Sequence, residues 1–190
     1  MLDVPYFKQI NDSACGAAAL QMVYKFLRPS KLSAFSQQKI FRKLVCPAAT
    51  DPTKGKINSD DIISAAVNRK LHAKWGRVSL EPQERLEQLT YFLTAEVVPI
   101  IACQRFTAEE PKLGHFRVLL AADANSVTFH DPHPQTGGEG LTWAIDKFVD
   151  FWRFTSPDVT GGVAIWIADR ELQSPLDPDQ PNRWAEAEQP

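Results

Sequence analysis

Hydrophobic and polar positions divide the chain into a helical first part and a strand-rich second part. Apolar residues run almost unbroken over Cys15–Leu27, which predicts a helix buried on most sides and ended at Pro29. Two further helices are predicted over residues 33–45 and 58–71, and Asn58 or Ser59 supplies the N-cap of the latter. The first third of the chain is therefore predicted to be helical.

Apolar runs with the length of strands dominate the rest of the chain. They occupy residues 73–78, 97–103, 115–122, 125–130 and 162–168, and the third and fourth of these are predicted to form a hairpin. Two helices are predicted among them, an amphipathic one over residues 81–94 and an aromatic-rich one over residues 143–154. Helices that precede strands predict an α+β fold, in which a helical lobe packs on a mostly antiparallel sheet.

Length and charge narrow the class of protein. The 190 residues are 44% hydrophobic and 23% charged, which is typical of a globular protein, and they predict one domain over residues 1–170. Residues 171–190 are rich in Pro, Asp and Glu, which predicts a flexible tail. A formal net charge of -2 gives no reason to expect a nucleic-acid partner.

The number of cysteines and the absence of long apolar segments bear on where in the cell the protein is expected. Three cysteines (Cys15, Cys46 and Cys103) make a poor disulfide framework, so a reducing environment is expected. No apolar run approaches the ~20 residues that cross a bilayer, and the first residues do not resemble a signal peptide. We therefore expect a cytoplasmic protein, in which Cys46 and Cys103 are small buried hydrophobic residues.

Cys15 stands at the predicted start of the buried helix, where a thiol is most readily ionised. Backbone N–H groups and the helix dipole favour an anion at this position, and the thiolate is the nucleophilic form of cysteine. Gly16 leaves space beside the sulfur. The backbone N–H of Cys15 and the side-chain amide of Gln9 are candidate donors to an oxyanion.

His115 and Asp131 lie at corresponding ends of the two strands of the predicted hairpin. Adjacent antiparallel strands bring the start of one beside the end of the next, so the imidazole and the carboxylate are expected within hydrogen-bond reach. His115 is then a candidate general base towards Cys15, and Asp131 a candidate for orienting the imidazole. Spacing alone does not bring Cys15 to this hairpin.

Four segments resemble, in the same order, the peptidases that process bacteriocins by cleaving after double-glycine leaders. The segments are VPYFKQINDSACGAAALQMVYKF, GHFRVLLAAD, NSVTFHDPH and LTWAIDKFVDFW, and the resemblance covers residues 4–168. It implies a papain-like fold and a cysteine peptidase, with Cys15, His115, Asp131 and Gln9 as the catalytic residues. The chain departs from this family at Ala14, where an acidic residue is usual, and it resembles the free-standing members.

Other interpretations stay open beside the peptidase. The same thioester on Cys15 could be resolved by an amine or a thiol, which would make the protein an acyltransferase or cyclase, or the fold could be a silent peptide-binding module. His130 and His133 flank Asp131 and could be metal ligands, although a zinc site needs more ligands than lie nearby. We expect a peptide or protein as substrate and no cofactor. Residues 134–140 contain three glycines and are predicted to form a mobile flap.

Overall fold

The structure, a computed structural model, describes residues 1–30, 36–44, 57–79, 81–106, 114–152 and 161–176. Within these ranges the α-helices are α1 (Cys15–Leu27), α2 (Gln37–Leu44), α3 (Ser59–Val67), α4 (Pro82–Thr90) and α5 (Ile145–Trp152), and a π-helical turn (Tyr91–Ala95) extends α4. The strands are β1 (His72–Ser79), β2 (Ile100–Arg105), β3 (Gly114–Ala122), β4 (Ser126–Asp131), β5 (Gly138–Ala144) and β6 (Gly161–Ala168).

All six strands form one antiparallel sheet in the order β1-β6-β2-β3-β4-β5. The β3–β4 hairpin was predicted, and its register places Val118 opposite His130. Strand β2 lies on the other side of β3, with Gln104 opposite His115. The predicted α+β fold with a mostly antiparallel sheet is confirmed.

Helices α1 and α5 cover opposite faces of the sheet. Phe116 of β3 lies against Gly16 of α1, whereas Gln104 of β2 donates from Nε2 to the carbonyl of Phe148 in α5 at 3.0 Å. Neighbouring residues of a strand point to opposite faces, so His115, which pairs with Gln104, is on the face that α5 covers. The start of β3 therefore presents side chains to both layers.

Helix α1 has the bounds that its apolar run predicts. Its interior residues, among them Leu20 and Met22, are fully buried, and Ala17, Ala18 and Ala19 let the helix approach the sheet closely. Helix α3 begins after Asn58, whose side chain accepts from the N–H of Asp61 at 2.8 Å while the Asp61 carboxylate accepts in return. This capping box selects Asn58 from the two predicted cap residues.

Strand β5 corrects two predictions. The helix predicted from residue 143 begins at Ile145, and Trp143 belongs to β5. The flap predicted over residues 134–140 overlaps the same strand, which begins at Gly138. An edge strand buries only one face, so its glycines and exposed polar positions resemble a turn in the sequence.

Smaller differences concern element ends and the tail. Strand β2 begins at Ile100, three residues later than predicted, because Val97 adopts a left-handed conformation with φ 57° that no strand accommodates. The helix predicted from residue 33 begins at Gln37, and Ser33 and Cys46 lie outside the described residues. The boundary at residue 171 stays a prediction, although Leu172 and Leu176 are buried in the core.

Candidate active site

Cys15 is the first residue of α1 and is half-buried beside the sheet. The polar turn before it is held by Asn11, whose Oδ1 accepts from the N–H of Ser13 at 3.0 Å and whose carbonyl accepts from the N–H of Ala14 at 3.1 Å. Ala14 contributes no side-chain cap, so the first turn of the helix keeps free N–H groups beside the sulfur.

The surroundings of Cys15 favour its thiolate. Burial opposes ionisation, but a hydrogen bond with His115, the imidazolium charge and the backbone N–H groups of Phe116 and Gly16 lower the pKa of the thiol below its usual value. A depressed pKa is typical of reactive cysteines.

Gly16 lets the start of α1 lie directly against β3. A Cβ at this position would lie 2.9 Å from Cγ2 of Ile57 and 3.2 Å from Cδ2 of Phe116. The absence of a side chain at this position lets the first turn of α1 pack on Phe116 and Ile57.

His115 and Asp131 form the contact that the hairpin predicts. Nε2 of the buried imidazole donates to Oδ1 of the carboxylate at 2.7 Å, which leaves Nδ1 for the hydrogen bond with Cys15. Burial lowers the pKa of His115, but the bonds to Asp131 and Cys15 and their charges outweigh it, and the pKa is raised overall. The structure thus links Cys15, His115 and Asp131 in one hydrogen-bonded series.

Asp131 is held from several directions. Oδ2 accepts from Nε of Arg117 at 2.8 Å, and Oδ1 accepts from the N–H of His133 at 2.9 Å in addition to the imidazole. Burial raises the pKa of this carboxyl, but His115, Arg117 and the His133 N–H hold it well below its usual range. Asp131 is therefore an anion under all ordinary conditions.

The chain after Asp131 turns too closely to admit a side chain at Gly137. A Cβ there would lie 2.5 Å from the carbonyl oxygens of Asp131 and His133 and 2.7 Å from Oδ1 of Asp131. The N–H of Gly137 also donates to the His133 carbonyl at 3.1 Å. The glycines after Pro134 thus include one that shapes the carboxylate corner.

Gln9 lies beside the same corner. Its backbone N–H donates to the carbonyl of Pro132 at 2.9 Å, and Nε2 donates to the carbonyl of Asn11 at 2.9 Å. The side chain is 6% exposed, and among the described atoms Oε1 has no hydrogen-bond partner. The amide therefore lies between the turn before Cys15 and the residue after Asp131.

Aromatic rings cover the imidazole. Phe106 packs between His115 and His133, with ring centroids 5.1 Å and 4.8 Å away. His133 accepts through Nδ1 from the N–H and hydroxyl of Thr136, and burial and the nearby charge of His115 lower its pKa. This cover excludes water from the His115–Asp131 hydrogen bond.

His130 is the second histidine that could have been a metal ligand. Its ring connects two segments of the backbone. Nε2 donates to the Val4 carbonyl at 2.7 Å, and Nδ1 accepts from the N–H of Gly140 at 3.0 Å. Both ring nitrogens of His130 are thus engaged by the protein itself. Within the described ranges, His, Cys, Asp and Glu side chains form no group of three or more that could hold a metal ion.

Sequence reasoning did not single out Arg117, the guanidinium that bonds Asp131. A charged residue in the middle of the apolar segment HFRVLL was the available signal, because a buried arginine requires a partner. The same reasoning leads to Gln104, whose Oε1 accepts from Nη1 of Arg117 at 3.1 Å.

The fold and the sequence can be compared with those of known proteins. The double-glycine motif protease of an AMS/PCAT transporter, solved with its leader peptide, shares 21% identity over 87% of this chain and 91% of its own, with a TM-score of 0.58. The peptidase domain of Streptococcus ComA shares 18% identity over 86% and 97%, with a TM-score of 0.60. The peptidase domain of Streptococcus mutans ComA shares 16% identity over 86% of this chain and 98% of its own, with a TM-score of 0.51.

A family profile gives the assignment that these structures alone do not. No curated protein matches the chain. Among the described residues, none of the helices combines the length and the apolar character needed to cross a membrane. The profile of the Peptidase_C39 like family matches residues 1–158. The chain therefore belongs to the Peptidase_C39 like family and is a cysteine peptidase.

Proposed function

We propose that the protein hydrolyses peptide bonds through a thioester on Cys15, with His115 as general base and acid, Asp131 orienting the imidazole and Gln9 donating to the oxyanion. The observation that carries this proposal is the hydrogen-bonded series Cys15–His115–Asp131, built from three separate elements. Cysteine is nucleophilic as a thiolate, and both the lowered pKa of Cys15 and the raised pKa of His115 favour a thiolate–imidazolium pair.

The reaction follows from this pair. The Cys15 thiolate adds to the scissile carbonyl carbon, and the backbone N–H of Cys15 and Nε2 of Gln9 donate to the oxyanion. The C–N bond then breaks, and Nδ1 of His115 gives its proton to the leaving amine. A water molecule, whose proton His115 accepts, attacks the thioester; the C–S bond breaks and the thiolate–imidazolium pair returns.

We infer a peptide substrate that carries a double-glycine leader. The inference follows from the structural neighbour that was solved with a leader peptide and from the family resemblance of the four segments. A synthetic peptide with a double-glycine site, and the same peptide with both glycines replaced by valine, test the assignment by mass spectrometry of the products.

The pH dependence of Cys15 alkylation tests the catalytic pair without any substrate. We expect iodoacetamide to modify Cys15 far faster than Cys103 near pH 6, and this advantage to disappear in His115→Ala, because the thiolate then lacks its counter-charge. His72→Ala, which removes an exposed histidine of β1, is the matched control and should react like the wild type. An ordinary thiol titration of Cys15 in the wild type would refute the proposal.

The products distinguish hydrolysis from acyl transfer. Both reactions share the thioester and differ only in the group that resolves it. With an added primary amine, hydrolysis leaves the carboxylic acid as the main product, whereas an acyltransferase or cyclase gives the amide. A predominant amide at millimolar amine would overturn the assignment to a peptidase while leaving Cys15 as the nucleophile.

A further inference from the structure

Arg117 is a buried cation in the middle of an apolar strand. The residue is 3% exposed, and Nε donates to Oδ2 of Asp131 at 2.8 Å. The remaining nitrogens donate to Oε1 of Gln104 and to the carbonyls of Arg105 and Phe106, at 3.1 to 3.3 Å. Every nitrogen of the guanidinium is thus engaged, and its orientation is set by the backbone of β2.

Aromatic rings complete the site of the guanidinium. Its Cζ lies 5.2 Å from the centre of the Trp143 ring and 5.7 Å from that of Phe151. Contacts of this kind stabilise a cation that is removed from water. The fold therefore keeps Arg117 charged and in one orientation.

The burial of this cation needs a reason beyond folding. Removing a cation and an anion from water is costly, and apolar residues of similar size usually fold at least as well as a buried ion pair. Arg117 is also directed at a single carboxylate whose other oxygen, Oδ1, receives the imidazole of His115. The two oxygens of Asp131 therefore have separate partners, and the guanidinium determines which oxygen faces the histidine.

The contact also changes the field that His115 experiences. A carboxylate alone stabilises the imidazolium strongly, and a guanidinium in contact with that carboxylate offsets part of this effect. Asp131 still raises the pKa of His115, because the imidazole contacts the carboxylate directly. We propose that Arg117 is a positioning residue of the active site, which orients Asp131 and offsets part of its charge, so that Cys15 becomes a thiolate at lower pH than it would beside an uncompensated Asp131. This inference rests on the proposed function.

Several charged or titratable groups surround the imidazole in the described part of the chain. Cys15, Asp131 and His133 interact with it directly. Arg117 and Cys103 on the sheet, and Asp12 before α1, interact with these neighbours. Only Arg117 and Asp131 are changed in the test below, so the contribution of the others is common to all variants.

The pH profile of Cys15 alkylation measures the charge that Arg117 supplies. Arg117→Gln leaves Asp131 uncompensated, which disfavours the thiolate and favours the imidazolium. The pH profile has two steps, one where Cys15 ionises and one where His115 loses its proton, and we call these steps its limbs. Both limbs should therefore move to higher pH, by about one unit. Arg105→Gln is the matched control, since Arg105 also stacks on Phe151 but pairs with Asp150 instead of Asp131. Its limbs should coincide with those of the wild type.

A double variant separates the charge from the fold. Arg117→Gln combined with Asp131→Asn removes both charges at once and leaves an amide to accept from His115. Its limbs should lie at higher pH than those of Asp131→Asn alone, in which the cation of Arg117 is left uncompensated. This comparison keeps the test valid even if Arg117→Gln alone does not fold. If Arg117 served folding only, the double variant and Asp131→Asn would have the same limbs.

The results of these experiments distinguish the role of Arg117 from the proposed peptidase function. Unchanged limbs in folded Arg117→Gln, or limbs that coincide in the double variant and in Asp131→Asn, would overturn the role of Arg117 while the wild-type thiolate–imidazolium pair stands. A wild-type Cys15 that titrates as an ordinary thiol would instead refute the proposed function. Circular dichroism of each variant establishes that the compared proteins are folded.

Discussion

The candidate site has a helix side and a sheet side, and they are held in place by different means. We call the helix side the segment from Gln9 to Gly16 and the sheet side the corner formed by His115, Arg117 and Asp131. On the helix side Cys15 is positioned by the absence of a side chain at Gly16 and by a turn around Asn11. The sheet side is held by charge-assisted hydrogen bonds of 2.7 and 2.8 Å between buried groups.

The difference indicates which property each side protects. Packing against β3 specifies where the sulfur lies but leaves its protonation to its surroundings. The hydrogen-bonded corner specifies both where the imidazole lies and when it carries a proton, because each bond favours one charge state. Substitutions on the helix side should therefore change distances and oxyanion contacts, and those on the sheet side should change pH profiles.

The largest expected effect separates oxyanion binding from thiol reactivity. Gln9→Ala removes the proposed donor to the oxyanion, and loss of one such donor costs roughly 10² to 10³ in kcat. Alkylation of Cys15 at pH 6 needs no oxyanion, so its rate should stay near that of the wild type. A discontinuous peptide-cleavage assay measures kcat, and site-resolved mass spectrometry measures the rate of Cys15 alkylation on the same preparation. Equal losses in both would mean that Gln9 acts on Cys15 itself.

A smaller effect is expected where a side chain is forced into the sheet side. Gly137→Ala places a Cβ against two carbonyl oxygens and the Asp131 carboxylate, all within 2.7 Å, and backbone oxygens cannot rotate away. We expect a loss of about 2 to 3 kcal/mol in the free energy of unfolding, and a reduced advantage of Cys15 at pH 6.

Gly138→Ala is the matched control for that prediction. Its Cβ would lie 3.2 Å from the end of the Leu141 side chain, which can move. Denaturant titration of both variants should show a loss for position 137 that clearly exceeds the loss for position 138. Equal losses would show that the corner tolerates displacement.

The smallest effect is expected on the helix side. Gly16→Ala introduces a contact of 2.9 Å with the Ile57 side chain, but alanine also favours the helix by about 0.5 to 1 kcal/mol. These contributions oppose each other, so we expect a net loss of about 1 kcal/mol, measured by denaturant titration. The limbs of the alkylation profile should not move. A shift of the limbs would show that packing and protonation are coupled across the two sides.

The sequence predicted the parts of the site that carry local signals. Helix α1 and the β3–β4 hairpin have strong periodic patterns, and Cys15, His115 and Asp131 stand at their ends. Strand β5 was missed because an edge strand with glycines lacks the apolar run of a central strand. The contact between Cys15 and His115 joins residues a hundred positions apart, which no local pattern specifies, and only the family resemblance suggested it.

Arg117 was missed for another reason. The strand around it was assigned from its apolar neighbours, and a single charge does not change such an assignment. Its significance depends on the partner across the hairpin, since Oδ2 of Asp131 becomes its acceptor only once β3 and β4 are paired in their observed register.

The position of β6 in the sheet bears on when the enzyme matures during synthesis. This strand is the last of the six to leave the ribosome, yet it lies between β1 and β2 and joins the two parts of the sheet. Without β6, strand β2 would be an unpaired edge in addition to β5, and the contact between the thiol and the imidazole would have to form across an incomplete core. We therefore expect the site to assemble, and the pKa of Cys15 to fall, only after residue 168 has been synthesised.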